Sequence, residues 1–207
     1  LGGVGAMGWG VGSTEAEHAL ATSTLRIKRP RTMRINFAGD APSNLTAKDI
    51  ILLTIKTLGT GGAQGFAVEF SGNAIQALDV EARLTICNMA VELSAFSGLI
   101  EPDPIVMDWF EGRDFAPSGH QLTQAKSYWR SLKTDKLATF DRETTIDLYQ
   151  AKPQLTWGTS PEQCIDHDAT IPNPKDAPSK SVAEAWVRAL DYMALTPNTP
   201  MSHYPLQ

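Results

Sequence analysis

Apolar and polar positions alternate along the first hundred residues with two different periods, which predicts a layer of strands and helices. Apolar side chains recur at helical spacing over residues 50–58. The Thr-Ala-Lys-Asp segment at 46–49 precedes them, and its Thr and Asp side chains can satisfy the free N–H groups of a helix start. Gly59 is placed to end that helix. Strand-forming runs at 32–37 and 65–70 flank it, as expected for an α/β fold.

The same patterns place the remaining elements and suggest a division of the chain. They predict helices over 14–21, 80–96, 103–110, 123–132 and 182–193, and strands over 144–148 and 154–157. The Thr-Glu-Ala-Glu segment at 14–17 is expected to cap the first of these helices. Residues 171–180 are Pro-rich and polar, as in a connection between units. We therefore expect an α/β domain over residues 1–165. Residues 166–207 are expected to form a Pro-rich connection and a terminal helix that leads toward a further domain.

The predicted helix over residues 80–96 carries the most informative polar residues. Its apolar side chains surround the helix, which predicts burial on most sides; they are Leu84, Met89, Val91, Leu93 and Phe96. Asn88 and Glu92 are four residues apart, so in an α-helix both would project into the same space. A buried carboxylate needs a polar ligand, a metal-bound water or a basic partner. The alternative is that Glu92 lies on a wetter face or caps a neighbouring loop.

Composition excludes several classes of function. The net charge is −5 with a pI near 5.3, which argues against a nucleic-acid surface, and the basic run at 26–34 is interrupted by Pro30. No apolar stretch approaches the roughly 20 residues of a membrane span, and residues 1–13 do not resemble a secretion signal. A cytoplasmic location is the expectation. Cys87 and Cys164 have no C-x-x-C spacing and the histidines are scattered, so no metal site is predicted within this chain.

Several segments resemble the aconitase superfamily, and within it the large subunits of bacterial 3-isopropylmalate dehydratases. The resemblance covers nearly the whole chain. Its segments are G-S-T-E-A-E-H at 12–18, T-A-K-D-I-I-L at 46–52, T-I-C-N-M at 85–89 with Glu92, G-R-D-F-A-P at 112–117 and P-Q-L-T-W-G-T-S-P at 153–161. Aconitases share T-I-C-N-M but differ at T-W-G-T-S-P. Homoaconitases can resemble the latter segment, so homoaconitase is the nearest enzymatic alternative.

The resemblance implies a three-layer α/β/α domain, here incomplete, and a hydro-lyase that isomerises 2-isopropylmalate and 3-isopropylmalate in leucine biosynthesis. It implies a [4Fe-4S] cluster in the full-length parent, with cluster cysteines expected beyond Gln207, and a small subunit as heterodimer partner. Asn88 and Glu92 match active-site positions, the amide near the cluster and the carboxylate at the iron-bound water or hydroxyl. We expect an internal fragment that is inactive alone. An alternative of another class is a non-catalytic binding module on the same scaffold.

Overall fold

A computed structural model of the chain describes residues 1–204, in which helices and strands alternate over the first hundred positions. The α-helices are α1 (Ser13–Thr22), α2 (Ala47–Leu58), α3 (Asn73–Gln76), α4 (Val80–Asn88), α5 (Pro104–Trp109), α6 (Gly119–Arg130) and α7 (Lys180–Tyr192). The strands are β1 (Arg31–Ala38), β2 (Phe66–Ser71), β3 (Ser97–Leu99), β4 (Arg142–Asp147), β5 (Gln154–Thr156) and β6 (Cys164–Asp166). Short 3₁₀ helices cover Gly2–Val4, Met89–Leu93, Pro174–Asp176 and Met201–His203.

Four strands form a parallel sheet in the order β3-β2-β1-β4. Arg31 of β1 lies opposite Phe66 of β2, and Met33 of β1 opposite Arg142 of β4. Parallel strands need crossover connections, and α2 supplies the one between β1 and β2. The predicted α/β class is confirmed, and so are the strands predicted at 32–37, 65–70 and 144–148, to within two residues at each end.

The apolar core lies against one face of this sheet. β1 and β2 alternate buried and half-buried positions. The buried ones pack with side chains of α2, α4 and the turn that follows α4; the core includes Met33, Ile35, Phe37, Val68, Phe70, Ile50, Ile51, Ile55, Ile86 and Leu93. The opposite face is polar, and there Arg34 pairs with Glu69 at 3.3 Å and stacks on Phe140. Strands of parallel sheets are usually apolar on both faces, so this sheet departs from that pattern.

A second, smaller apolar cluster forms around the antiparallel pair β5-β6 and α7. Trp157 and Trp186 meet edge to face with centroids 5.3 Å apart, and Ile171, Leu190 and Met201 are buried with them. The cluster uses residues on both sides of position 165. The predicted division of the chain at position 165 stays a prediction. The last residues of the predicted second unit, 205–207, lie outside the described part of the chain.

Two local predictions about helices are wrong. α1 begins after Gly12, whose N–H donates to Glu15 Oε2 at 2.9 Å, so the helix is capped by Glu15 and not by Thr14 with Glu17. The helix predicted over 80–96 ends at Asn88, and residues Met89–Leu93 continue as a 3₁₀ helix. Within residues 1–204, no helix is both long and apolar enough to cross a bilayer.

Candidate functional site

Asn88 ends α4 and Glu92 lies in the 3₁₀ turn that follows, so the two residues do not share one face of a continuous α-helix. α4 starts with Asp79, whose Oδ1 accepts from Ala82 N–H at 2.8 Å, and ends at Asn88. Both Asn88 and Glu92 are exposed, and Val91 is 66% exposed. The expectation of a carboxylate buried on most sides of a continuous helix is therefore wrong. Their role in chemistry stays a prediction.

The tighter winding of Met89–Leu93 explains the separation. Residues four apart differ by about 40° around an α-helix but by about 120° around a 3₁₀ helix. Side chains three apart eclipse in a 3₁₀ helix, and Ala90 and Leu93 use this spacing to enter the core, at 1% and 0% exposure. Ser94 then leaves the helix with a φ of 58°. Core packing thus decides which way Glu92 faces.

Glu92 lines a cleft of about 530 Å³, here named the Glu92 cleft. One wall is the start of α2, the second is the turn after α4, and the third is β5 with the loop that follows it. The lining residues are Thr46, Lys48, Asp49, Leu52, Met89, Glu92, Gln154, Leu155, Thr156, Gly158, Thr159, Ser160 and Pro161. The T-A-K-D and T-W-G-T-S-P segments therefore meet Glu92 at one place, although they are about a hundred residues apart in sequence.

Asp49 connects the start of α2 to β5. Its Oδ2 accepts from Thr46 N–H at 2.8 Å and from the Thr46 hydroxyl at 2.6 Å, which confirms the predicted helix cap. Its Oδ1 accepts from Gln154 N–H at 2.8 Å. Burial acts to raise the pKa of Asp49, but the hydrogen bonds from Gln154 and Thr46 outweigh burial and hold that pKa below its ordinary value. The sequence identified the cap but not the link to β5.

Gln163 holds the loop that forms the third wall. Its Oε1 accepts from Thr159 N–H at 2.7 Å and from Ser160 N–H at 3.0 Å, and the side chain is 8% exposed. Trp157 N–H donates to the Gln163 carbonyl at 2.9 Å. A Cβ on residue 158 would overlap Gln163 Oε1 and lie 2.6 Å from Gln163 Cδ, so any larger residue there would displace the Gln163 amide from its two hydrogen bonds. The wall is fixed by internal hydrogen bonds, and sequence reasoning missed Gln163.

Several polar groups in the Glu92 cleft are left without protein partners. Among residues 1–204, neither Glu92 nor Lys48 forms an ion pair within 4.0 Å. In the same range, no hydrogen bond engages the hydroxyls of Thr156, Thr159 or Ser160, whereas the backbone N–H groups of the last two bind Gln163. The cleft thus presents one free carboxylate, one free ammonium group and hydroxyls on a rigid frame.

Asn88 lines a different and larger cleft of about 900 Å³, here named the Asn88 cleft. The N-terminal segment forms its other side, where Trp9 stacks on Phe96 with centroids 5.4 Å apart. The hydroxyl of buried Ser97 donates to the Gly8 carbonyl at 2.8 Å. Arg26 and Lys28 also line this cleft. The structure therefore does not bring the two predicted site residues into one pocket.

The two cysteines do not fit the cluster that the resemblance implies. Such clusters are held by several thiolates, but Cys87 lies in α4 and Cys164 in β6, and burial raises their pKa values to about 12 and about 11. Over residues 1–204, no three His, Cys, Asp or Glu side chains gather as metal ligands would. These residues therefore do not supply a cluster site.

The whole chain matches one protein-family model. This family model, described as "Aconitase family (aconitate hydratase)", matches residues 1–207. The chain belongs to the aconitase family. This confirms the resemblance carried by T-I-C-N-M and its neighbouring segments.

A relative within the aconitase family gives a finer comparison. The chain is 47% identical over 201 residues to the protein named "3-isopropylmalate dehydratase large subunit 1" of Bradyrhizobium diazoefficiens. The alignment covers 97% of this chain and 42% of that protein. The chain thus spans less than half the length of the curated relative that it matches, over a region that includes both walls facing Glu92.

Proposed function

We propose that this chain is part of a hydro-lyase that interconverts 2-isopropylmalate and 3-isopropylmalate in leucine biosynthesis. The observation that carries the proposal is the 47% identity, over 97% of the chain, to a protein named as a 3-isopropylmalate dehydratase large subunit. The T-W-G-T-S-P segment at 156–161 favours this substrate over that of aconitases, and in the fold it forms a wall of the Glu92 cleft.

The reaction sets requirements that the Glu92 cleft can meet in part. Dehydration breaks a C–H bond alpha to a carboxylate and the C–O bond on the adjacent carbon, leaving a C=C bond and water. Rehydration adds water with the hydroxyl on the other carbon. The departing hydroxyl must be oriented and must gain a proton. We assign Glu92 to the substrate hydroxyl, because its carboxylate is exposed in the cleft and unpaired among residues 1–204.

The partner and cofactor follow from the proposal. A large subunit works with a small subunit, and the family supplies Lewis acid chemistry through a [4Fe-4S] cluster. We place both in the assembled enzyme, in the cytoplasm. Because the chain aligns to 42% of its relative, we expect the 207-residue chain alone not to turn over isopropylmalate. Asn88, which faces the other cleft, keeps its assignment as a second site residue.

The test uses the full-length large subunit assembled with its small subunit. Turnover of 2-isopropylmalate is followed by the ultraviolet absorbance of the unsaturated intermediate. Glu92→Gln should lower kcat by about a hundredfold or more, the usual contribution of a positioned proton-transfer group. Glu184→Gln is the matched control, since Glu184 is an exposed glutamate of α7 outside the cleft.

Other outcomes would redirect or reject the proposal. A clear preference for citrate or homocitrate would assign the chain to another branch of the family. Failure of the assembled protein to convert any of these hydroxy acids would favour a binding module. Full kcat in Glu92→Gln would remove Glu92 from the reaction, and turnover by the 207-residue chain would show that no further segment is needed.

A further inference from the structure

Lys48 stands out in the Glu92 cleft by its charge and by its freedom. It is the one cation among the described residues that line the cleft. It is exposed and has no hydrogen-bond or ion-pair partner within residues 1–204. An exposed lysine is common, but Lys48 lies in one wall of a cleft, and the second wall carries the carboxylate of Glu92, which is also unpaired within residues 1–204.

The other charged groups of the cleft do not neutralise Lys48 by direct contact. The lining contains two acids, Asp49 and Glu92. Asp49 uses Oδ1 to accept from Gln154 and Oδ2 to accept from Thr46. Its position is therefore fixed by the fold and not by a ligand. Glu92 and Lys48 remain as the two charged groups of the cleft that form no hydrogen bond with residues 1–204.

The third wall adds neutral donors at fixed positions. Gln163 takes the backbone N–H groups of Thr159 and Ser160, so the loop is held while its hydroxyls stay available to the cleft. A hydroxyl can donate to a carboxylate without adding charge. A cleft with an ammonium group, hydroxyl donors and an opposing carboxylate is complementary to a molecule that carries both a carboxylate and a hydroxyl.

We propose that Lys48 binds a carboxylate of the hydroxy-acid substrate, assisted by the hydroxyls of Thr159 and Ser160, while Glu92 faces the substrate hydroxyl. This inference rests on the proposed function and adds the residues that recognise the carboxylate. A charge-assisted hydrogen bond made in the ground state and kept through the reaction contributes to binding more than to the chemical step. Lys48 therefore affects KM, whereas Glu92 affects kcat.

The experiment measures kcat and KM of the assembled enzyme for 2-isopropylmalate. Lys48→Met should raise KM by about tenfold to a hundredfold, the value of a hydrogen bond to a charged group. Its kcat should change by less than about threefold, and Lys48→Arg should restore much of the lost affinity because it keeps the charge. Lys180→Met is the matched control: Lys180 is also an exposed lysine in the first turn of a helix, α7, but lies outside the cleft.

The outcomes separate this inference from the proposed function. A KM for Lys48→Met that matches that of Lys180→Met overturns the role of Lys48, even if Glu92→Gln is inactive. Normal kcat in Glu92→Gln overturns the assignment of Glu92 instead. If Lys48→Met fails to assemble with the small subunit, the KM of Lys48→Gln and the inhibition constant of malate, which also carries carboxylates and a hydroxyl, decide the question. Unchanged values in both measurements reject the inference.

Discussion

The two clefts on either side of the Met89–Leu93 turn are built in different ways. The walls of the Glu92 cleft are held by side-chain hydrogen bonds: Asp49 ties the start of α2 to the distant β5, and Gln163 fixes the loop in which it lies. The Asn88 cleft is closed by packing of the N-terminal segment, through the stacking of Trp9 on Phe96 and two hydrogen bonds, from the Ser97 hydroxyl to the Gly8 carbonyl and from Ile100 N–H to the Gly2 carbonyl. One cleft is held by polar groups with fixed directions, the other mainly by apolar contact.

This difference bears on which cleft can orient a substrate. Apolar contacts are non-directional, whereas hydrogen bonds fix the position of the atoms they join. Apolar side chains are also exposed around the Asn88 cleft, including Leu1, Ile27 and Val91. A site that must hold reacting groups in place needs a rigid supporting frame. The Glu92 cleft has that frame, which is why we propose that the hydroxyl and carboxylate of the substrate bind there, while Asn88 keeps its predicted place near the cluster.

One glycine in each cleft, Gly158 and Gly10, should give the largest difference in the free energy of unfolding when it is replaced by alanine. Gly158→Ala should destabilise the chain by about 2 kcal/mol, because its Cβ would overlap the buried side chain of Gln163. Gly10→Ala in the Asn88 cleft should change the free energy of unfolding by less than about 0.5 kcal/mol, since nothing lies within 4 Å of the added Cβ. Urea unfolding of both variants measures the difference. Equal effects would mean that Gln163 moves aside freely and that the wall is not rigid.

The hydrogen bond between Asp49 of α2 and Gln154 of β5 should make the free energy of unfolding depend on pH, with a smaller effect than that of Gly158→Ala. The pKa of Asp49 is lower in the folded chain than its ordinary value, so its contribution to stability is present above an unfolded pKa of about 3.9 and is lost as pH falls through the folded pKa. Asp49→Asn should cost at most about 1 kcal/mol at pH 7, since the group is partly exposed.

The pH profile distinguishes this tie from a simple loss of packing. Urea unfolding is measured for the wild-type chain and Asp49→Asn at pH 6 and at pH 3. The difference in unfolding free energy between them should shrink at the lower pH, because the wild-type carboxylate is then being protonated. A difference that is the same at both pH values would show that the charge of Asp49 does not hold the wall.

How far the sequence could predict this arrangement depends on the range of the interactions. β1, α2 and β2 follow from local periodicity and from the Thr46–Asp49 cap, and all three were predicted within about two residues. The 3₁₀ turn at Met89–Leu93 could not be predicted in this way, because its winding depends on how Ala90 and Leu93 pack into the core. The sequence also could not predict that Lys48 and Thr159 line the same cleft, since no local pattern encodes the proximity of segments about a hundred residues apart.

The smallest change in the free energy of unfolding is expected for the residues of the Glu92 cleft that we assign to substrate binding and not to the support of the fold. Glu92→Gln and Lys48→Met should each change the free energy of unfolding by less than about 0.5 kcal/mol, because both side chains are exposed and unpaired within residues 1–204. Urea unfolding at pH 7 tests this, with Gly158→Ala as the destabilised reference. Loss of stability in either variant would show that its side chain supports the fold, and any loss of activity would then have a structural cause. Unchanged stability beside impaired kcat or KM would place both groups in the reaction, since the chain would then carry two charges that folding does not require.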